Sequence, residues 1–268
     1  MPERFRRPSI GRRIERAIER KETREEEAKR LKELLEKIVA TLTDQGIPVD
    51  QNCRIDMNAF MDIEGYGQEK IKMDVELVRE VRSSVEENLL SDGERLEALK
   101  TIVFHKFLHK RFVIVRASFY DDVENYVDNL IVEKETGNIV CAFDEVSVIS
   151  GRAFAEKQER VLRNNKNGAK LKYGILLTKD GLKKGRIKNI PIFYLALPPD
   201  NINEGIRNLT SLEEISDYEK KLWIYFMTTL QSQIARLRLE KLNETVESRL
   251  LEFEEIIEEL KLNENELF

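Results

Sequence analysis

The sequence predicts an α/β fold: a mixed β-sheet core with the order α-β-β-β-α-β, flanked by long N- and C-terminal helices of coiled-coil character. Three observations carry that expectation. Between Asn125 and Ser147, two runs of Val, Ile, Leu and aromatic residues flank the turn cluster Glu135-Thr136-Gly137-Asn138, the pattern of a β-hairpin. On both sides of that hairpin the apolar residues fall at spacings of three and four, the period of an amphipathic helix. Charged residues make up 35% of the 268, yet the apolar residues concentrate in the middle, which argues for one core with arms.

In chain order, residues 1–45 read as a basic tail and a helical arm. Pro8-Ser9 is a plausible helix start, and Ile10, Ile14, Ala17 and Ile18 form one stripe. Leu31, Leu34, Leu35, Ile38, Val39 and Leu42 form a second, docked stripe, while Lys21 to Arg30 carries almost no hydrocarbon. Residues 46–90 form a connecting segment. Ile55, Met57, Ile71 and Met73 fit strands around a Glu64–Gly67 turn or short helices, and the helical period returns from Asp74 to Leu90. Residues 91–198 form the α/β domain, of an ordinary size for one core. It begins with a helix capped by Ser91 or Asp92, whose apolar face is Leu96, Leu99, Ile102, Val103, Phe107 and Leu108. The strand Phe112–Val115, the hairpin, a helix from about Arg152 to Arg163 and strands at Leu171–Leu177 and Ile190–Leu197 follow, with GLKKGRIKN expected as a loop or hairpin tip. Residues 199–268 are helical, and Leu242, Val246, Leu250, Phe253, Ile257 and Leu260 resemble a coiled-coil seam that favours self-association into a homo-oligomer.

The hairpin carries the chemistry. Asp128 interrupts its first apolar run and Asp144-Glu145 its second, where a buried strand should carry hydrocarbon. An ionised carboxylate inside a sheet costs several kcal/mol without a cation beside it, and metal binding is the commonest justification. Alternation puts Glu145 on the face of Phe143 and Ser147, and Asp144 on that of Ala142 and Val146. Glu145 is the chosen ligand, with Asp144 in reserve. The alternative is that these acids are solvated on a half-exposed hairpin and bind nothing.

From about Asp92 to Leu197 this arrangement resembles the PD-(D/E)xK nuclease superfamily. The segment from His109 to Ser118 looks like the end of the first helix and the first strand of its archaeal junction-resolvase-like members. Asp128 falls where the family has its first aspartate, and Glu145 where it has the acid of (D/E)xK. Val127 replaces the family's proline, and Ser147 stands where its catalytic lysine should be. The family tolerates migration of that lysine to the following helix, which makes Lys157 the surrogate. Gln158 resembles the glutamine of RecB-like members, although Leu162 stands where their tyrosine would be. The resemblance also implies a glutamate from the first helix, Glu97 or Glu94, and Mg²⁺ or Mn²⁺ held by Asp128 and Glu145. Such an ion stabilises charge on a phosphate and lowers the pKa of an attacking water, while a lysine steadies the developing charge.

Charge supplies the second functional signal. The net charge of −5 gives no global preference for nucleic acid, but Arg163, Lys166, Lys170, Lys172, Lys179, Lys183, Lys184, Arg186 and Lys188 face only Asp180 in sequence. A block of one sign neutralises phosphates without reading bases; otherwise it is a solvated loop pair. Arg4, Arg6, Arg7, Arg12 and Arg13 are a weaker set of the same type. His105 and His109 lack the third ligand of a zinc site and read as surface histidines near a helix end. No GxxxxGK[ST], GxGxxG or GxSxG motif occurs, which disfavours nucleotide hydrolysis, dinucleotide chemistry and esterase chemistry. Cys53 and Cys141 form no disulfide framework, no apolar run spans a bilayer, and the basic N-terminus lacks an apolar signal region. A cytoplasmic location without membrane contact is therefore expected, and abundant Glu, Lys, Arg and Ile resembles a thermophile's composition. The expected function is a metal-dependent nuclease acting on DNA. Its alternative is a catalytically inactive nuclease-like domain in a coiled-coil oligomer, serving as a DNA- or protein-binding scaffold.

Overall fold

In the computed structural model, residues 10–82 and 91–262 are described. Arg4, Arg6 and Arg7, and the end of the helix expected from Asp74 to Leu90, lie outside them, as do the side chains of Arg12 and Arg13. The chain is mixed α/β. It runs through α1 (Ile10–Asp44), a 3-10 turn (Met57–Phe60), α2 (Gly67–Arg82) and α3 (Asp92–Leu108) into β1 (Phe112–Arg116). A short α4 (Phe119–Asn125) precedes β2 (Asn129–Glu133) and β3 (Ile139–Phe143), and α5 (Arg152–Asn167) follows. Next come β4 (Ala169–Thr178), β5 (Gly181–Ile190), β6 (Ile192–Phe193), α6 (Pro199–Arg207), α7 (Asp217–Leu237) and α8 (Glu244–Leu262).

The Ser91 hydroxyl accepts from the Glu94 amide at 3.2 Å and starts α3, which is then buried at every position from Arg95 to Leu108. A helix enclosed on all sides can keep cations only if each meets an anion. Arg95 pairs with Glu27 on α1, Lys100 with Glu145 beyond β3, and Lys106 with Glu219 on α7. These pairs tie α3 to three different parts of the chain.

The main sheet has the order β1-β2-β3-β6, antiparallel except for the parallel pairing of β3 with β6. Parallel neighbours need a crossover, and here it contains α5 and the β4–β5 ribbon. The segment expected as a loop or hairpin tip, Gly181 to Asn189, is instead most of strand β5, paired along its length with β4. Its lysines misled the loop assignment. Lys183 and Lys188 are exposed while Ile187 and Ile190 are buried, and Gly174 sits opposite Gly185 where the Ile187 side chain leaves no room for a Cβ.

One irregularity in β4 positions the ribbon. The register shifts between Leu171 and Gly174, and within that bulge the Lys172 and Tyr173 amides donate to the Asp121 carboxylate of α4 at 2.6 and 2.9 Å. The β2–β3 turn docks nearby. Gly137 has φ +72°, its carbonyl accepts from the Leu177 amide at 3.0 Å, and a Cβ there would meet the Leu177 oxygen at 1.3 Å.

One buried cluster runs from Leu31 on α1 through α3 and the sheet to Ile257 on α8. The stripe for which spacing predicts a coiled-coil seam is taken up by this core: Leu250, Phe253, Ile256 and Ile257 are buried, and Phe253 packs 5.1 Å from the ring of Phe193. Leu31, Leu34, Leu35, Ile38 and Leu42 are likewise buried. Among the described residues, no helix is long and apolar enough to cross a membrane.

Candidate functional site

The β2–β3 ladder extends one residue past β2, and that extension places Asp128. Its amide donates to Phe143 at 2.7 Å, and its carbonyl accepts from Ala117 at 2.9 Å. The side chain is therefore fixed between β1 and β3, 6% exposed, and its Oδ2 accepts from the Glu145 amide at 2.5 Å. Glu145, also 6% exposed, turns toward α3. Its Oε1 pairs with Lys100 and accepts from Asn129 Nδ2 at 3.1 Å, and Asn129 in turn accepts from the Thr101 hydroxyl at 2.8 Å. Glu145 Oε2 is buried without a hydrogen-bond partner. Asp144 turns the other way, to α5, where Lys157 and Arg160 hold it, the latter at 2.9 Å.

Asp144 and Glu145 thus face opposite ways just past the end of β3, and both Asp128 and Glu145 are buried. Lys157 also donates to the Glu145 carbonyl, which places its ammonium between Asp144 and Glu145. Gln158 does not join them; its amide donates to the Tyr194 hydroxyl at 2.7 Å. Glu97 lies in a second acidic group with Glu94 and Asp122, whose carboxylate oxygens fall within 4.8 Å of one another. That group is held by buried arginines. Arg54 reaches Glu94, Glu97 and Asp122, each at 3.0 Å, and Arg116 reaches Glu94 and Glu97.

Burial, followed by the charges of Glu97 and Glu145, pushes the Asp128 carboxyl well above the usual range. Burial also raises Glu97, to about 7, against the pull of Arg116 and Arg54. Burial would raise Glu145 too, but Lys100 and the donors around it hold this carboxyl below its ordinary value. Burial lowers Lys100, whereas Lys157 is raised because Asp128 and Asp144 outweigh its desolvation. The result is one carboxylate disfavoured as an anion beside another with an orphaned oxygen. Such a pair suits a hard divalent cation, which takes carboxylate oxygens. Asp128 and Glu145 are the residues that would hold it.

Sequence reasoning missed Lys100, Asn129, Arg54, Arg116, Asp122 and Arg160. The available signals were a lysine inside an apolar helical run for Lys100 and an arginine closing FVIVR for Arg116. Of the basic block, Lys170, Lys172, Arg186 and Lys188 converge with Tyr120 and Asn125 around a cavity of about 300 Å³ on the β4–β5 ribbon. Lys166 pairs instead with Glu240 at 2.7 Å, Lys184 donates to the Ala59 carbonyl, and Arg163 and Lys183 are exposed outside that cavity. His105 is not a surface histidine: it is buried, its ring stacked 5.4 Å from that of His109.

Comparison of the chain with family models, with curated proteins and with solved structures finds no match.

Proposed function

We propose that this chain is a metal-dependent, PD-(D/E)xK-like protein that binds DNA and hydrolyses its phosphodiester bonds. The observation that carries the reading is the meeting of Asp128, just before β2, with Glu145, just past β3, in one buried cluster beside Lys157, where the Asp128 carboxylate accepts from the Glu145 amide. The succession α3-β1-β2-β3-α5-β6 supports it, with β6 parallel to β3, α4 interposed after β1 and the β4–β5 ribbon inserted after α5. Mg²⁺ or Mn²⁺ bound by Asp128 and Glu145 would supply Lewis acidity toward a phosphate and a lowered pKa for bound water. Asn129 and Lys100 fix the direction of Glu145, and Lys157 brings positive charge toward the phosphate. Lys170, Lys172, Arg186 and Lys188 hold flanking phosphates.

The test is incubation of single- and double-stranded DNA with the full chain and Mn²⁺ or Mg²⁺, beside Asp128→Asn. Cleavage by the wild type that falls at least about 100-fold in the variant is the expected result. Because the substitution removes a buried charge that its neighbours disfavour, Asp128→Asn should also melt a few degrees higher. Absence of cleavage with either ion overturns the hydrolase reading.

One observation favours a second reading. Lys100 already neutralises Glu145, and Ser147 occupies the usual place of the lysine. In that reading the protein retains DNA in a salt-sensitive way and leaves it intact.

A further inference from the structure

Tyr126 closes α4 in the left-handed region at φ 56°, with its amide bonded to the Asp121 carbonyl. That conformation is unfavourable for a residue with a side chain, and here it accompanies an exposed ring: Tyr126 is 44% exposed. The Arg160 guanidinium lies 4.3 Å from the ring centroid while also holding Asp144, so the ring is fixed beside Asp144, the carboxylate that shares Lys157 with the Glu145 carbonyl. Asp128 is two residues further along the chain. On the other side, the preceding residue, Asn125, lines the basic cavity of the β4–β5 ribbon. Tyr126 therefore lies on the chain between Asp128 and a residue that lines the basic cavity.

The cavity has a charge problem of its own. Lys170 and Lys188 face each other across the ladder, and like charges directly opposite on paired strands repel. Lys172 is offset by Asp74 at 2.5 Å and lies over the Tyr120 ring, but no carboxylate of the described residues pairs with Lys170 or Lys188. A polyanion entering the cavity relieves this repulsion.

We infer that the site takes a single strand of nucleic acid, with one base stacked on Tyr126 and an adjoining phosphate held between Lys170 and Lys188. A base can reach an isolated ring in this way only when it is unpaired, because in a duplex its faces are covered by neighbouring pairs. Aromatic platforms beside basic grooves bind single strands with little sequence preference. The inference rests on the nucleic-acid reading above and names the substrate form of that same site.

The test uses the full chain with Ca²⁺ in place of Mg²⁺ or Mn²⁺, a labelled oligothymidylate, and a labelled mixed-sequence duplex, followed by fluorescence anisotropy. Tyr126→Ala should weaken single-strand binding by roughly tenfold, the value of one stacked base, and change duplex binding by less than about twofold. Tyr126→Trp provides an independent readout, since Trp223 is fully buried: its emission should be quenched by the single strand. If Tyr126→Ala weakens both probes equally, or if the Tyr126→Trp emission stays unchanged while anisotropy reports binding, the stacking inference is overturned and the nucleic-acid reading stands. If the wild type binds neither probe, that reading fails and the inference falls with it.

Discussion

His105 carries a titration that the fold opposes. Burial, followed by the charges of His109 and Lys134, lowers its pKa from 6.5 to about 4. In the unfolded chain the imidazole protonates near its ordinary value, so between pH 6.5 and 4 the unfolded state binds the extra proton and stability falls with pH. The full effect is about 3 kcal/mol, complete once the pH has passed below the folded value. Thermal melts of the wild type and His105→Gln across that window should therefore diverge, the variant losing less stability on acidification. Parallel curves would show that the imidazole is not desolvated. The same physics made some residues legible in the sequence and hid others. Asp128 and Glu145 stood out because each interrupts a β-branched run, whereas His105 reads as a surface histidine near a helix end and Lys100 draws no attention within its helix. A charged side chain inside a helix does not disclose whether a partner from a distant segment will arrive to enclose it.

Among the elements, α3 and α4 explain where the reading of periodicity held and where it failed. The stripe Leu96, Leu99, Ile102, Val103, Phe107 and Leu108 identifies α3, but only tertiary structure turns an amphipathic helix into one surrounded on all sides through Glu27, Glu145 and Glu219. The seven residues of α4 are too few to show a period, and Asp121 within it resembles any polar turn residue. Yet Asp121 accepts from the Ser118 hydroxyl, from Asn125 and from two amides of β4, and so mounts the basic ribbon on the sheet domain. Asp121→Ala leaves those two amides without acceptors, at a cost of about 3 kcal/mol. Hydrogen exchange should then accelerate at Lys172 and Tyr173 far more than in the β1–β2 ladder. Uniform acceleration would mean that Asp121 supports the whole core and not the ribbon in particular.

For the whole molecule, net charge and local field point in opposite directions. An acidic chain of net charge −5 concentrates Lys170, Lys172, Arg186 and Lys188 around one cavity, while the acidic α8 packs on the same core and meets the end of β5 through Arg249, which donates to the Lys188 and Asn189 carbonyls. The sequence revealed this segregation along the chain but not its geometry, because only the pairing of β5 with β4 folds two basic segments onto one face. The consequence is quantitative. Four phosphate contacts give a plot of log affinity against log salt with a slope of about −3 for a single strand. The double substitution Lys170→Gln with Lys188→Gln removes two of those contacts and should flatten the slope by roughly 1.5, with less effect at high salt than at low salt. Titrations of an oligothymidylate at several salt concentrations measure it directly. A slope that the double substitution leaves unchanged would move the phosphate contacts away from the ribbon. Binding would then depend on other cations of the chain, and the cavity between Lys170 and Lys188 would have no part in it.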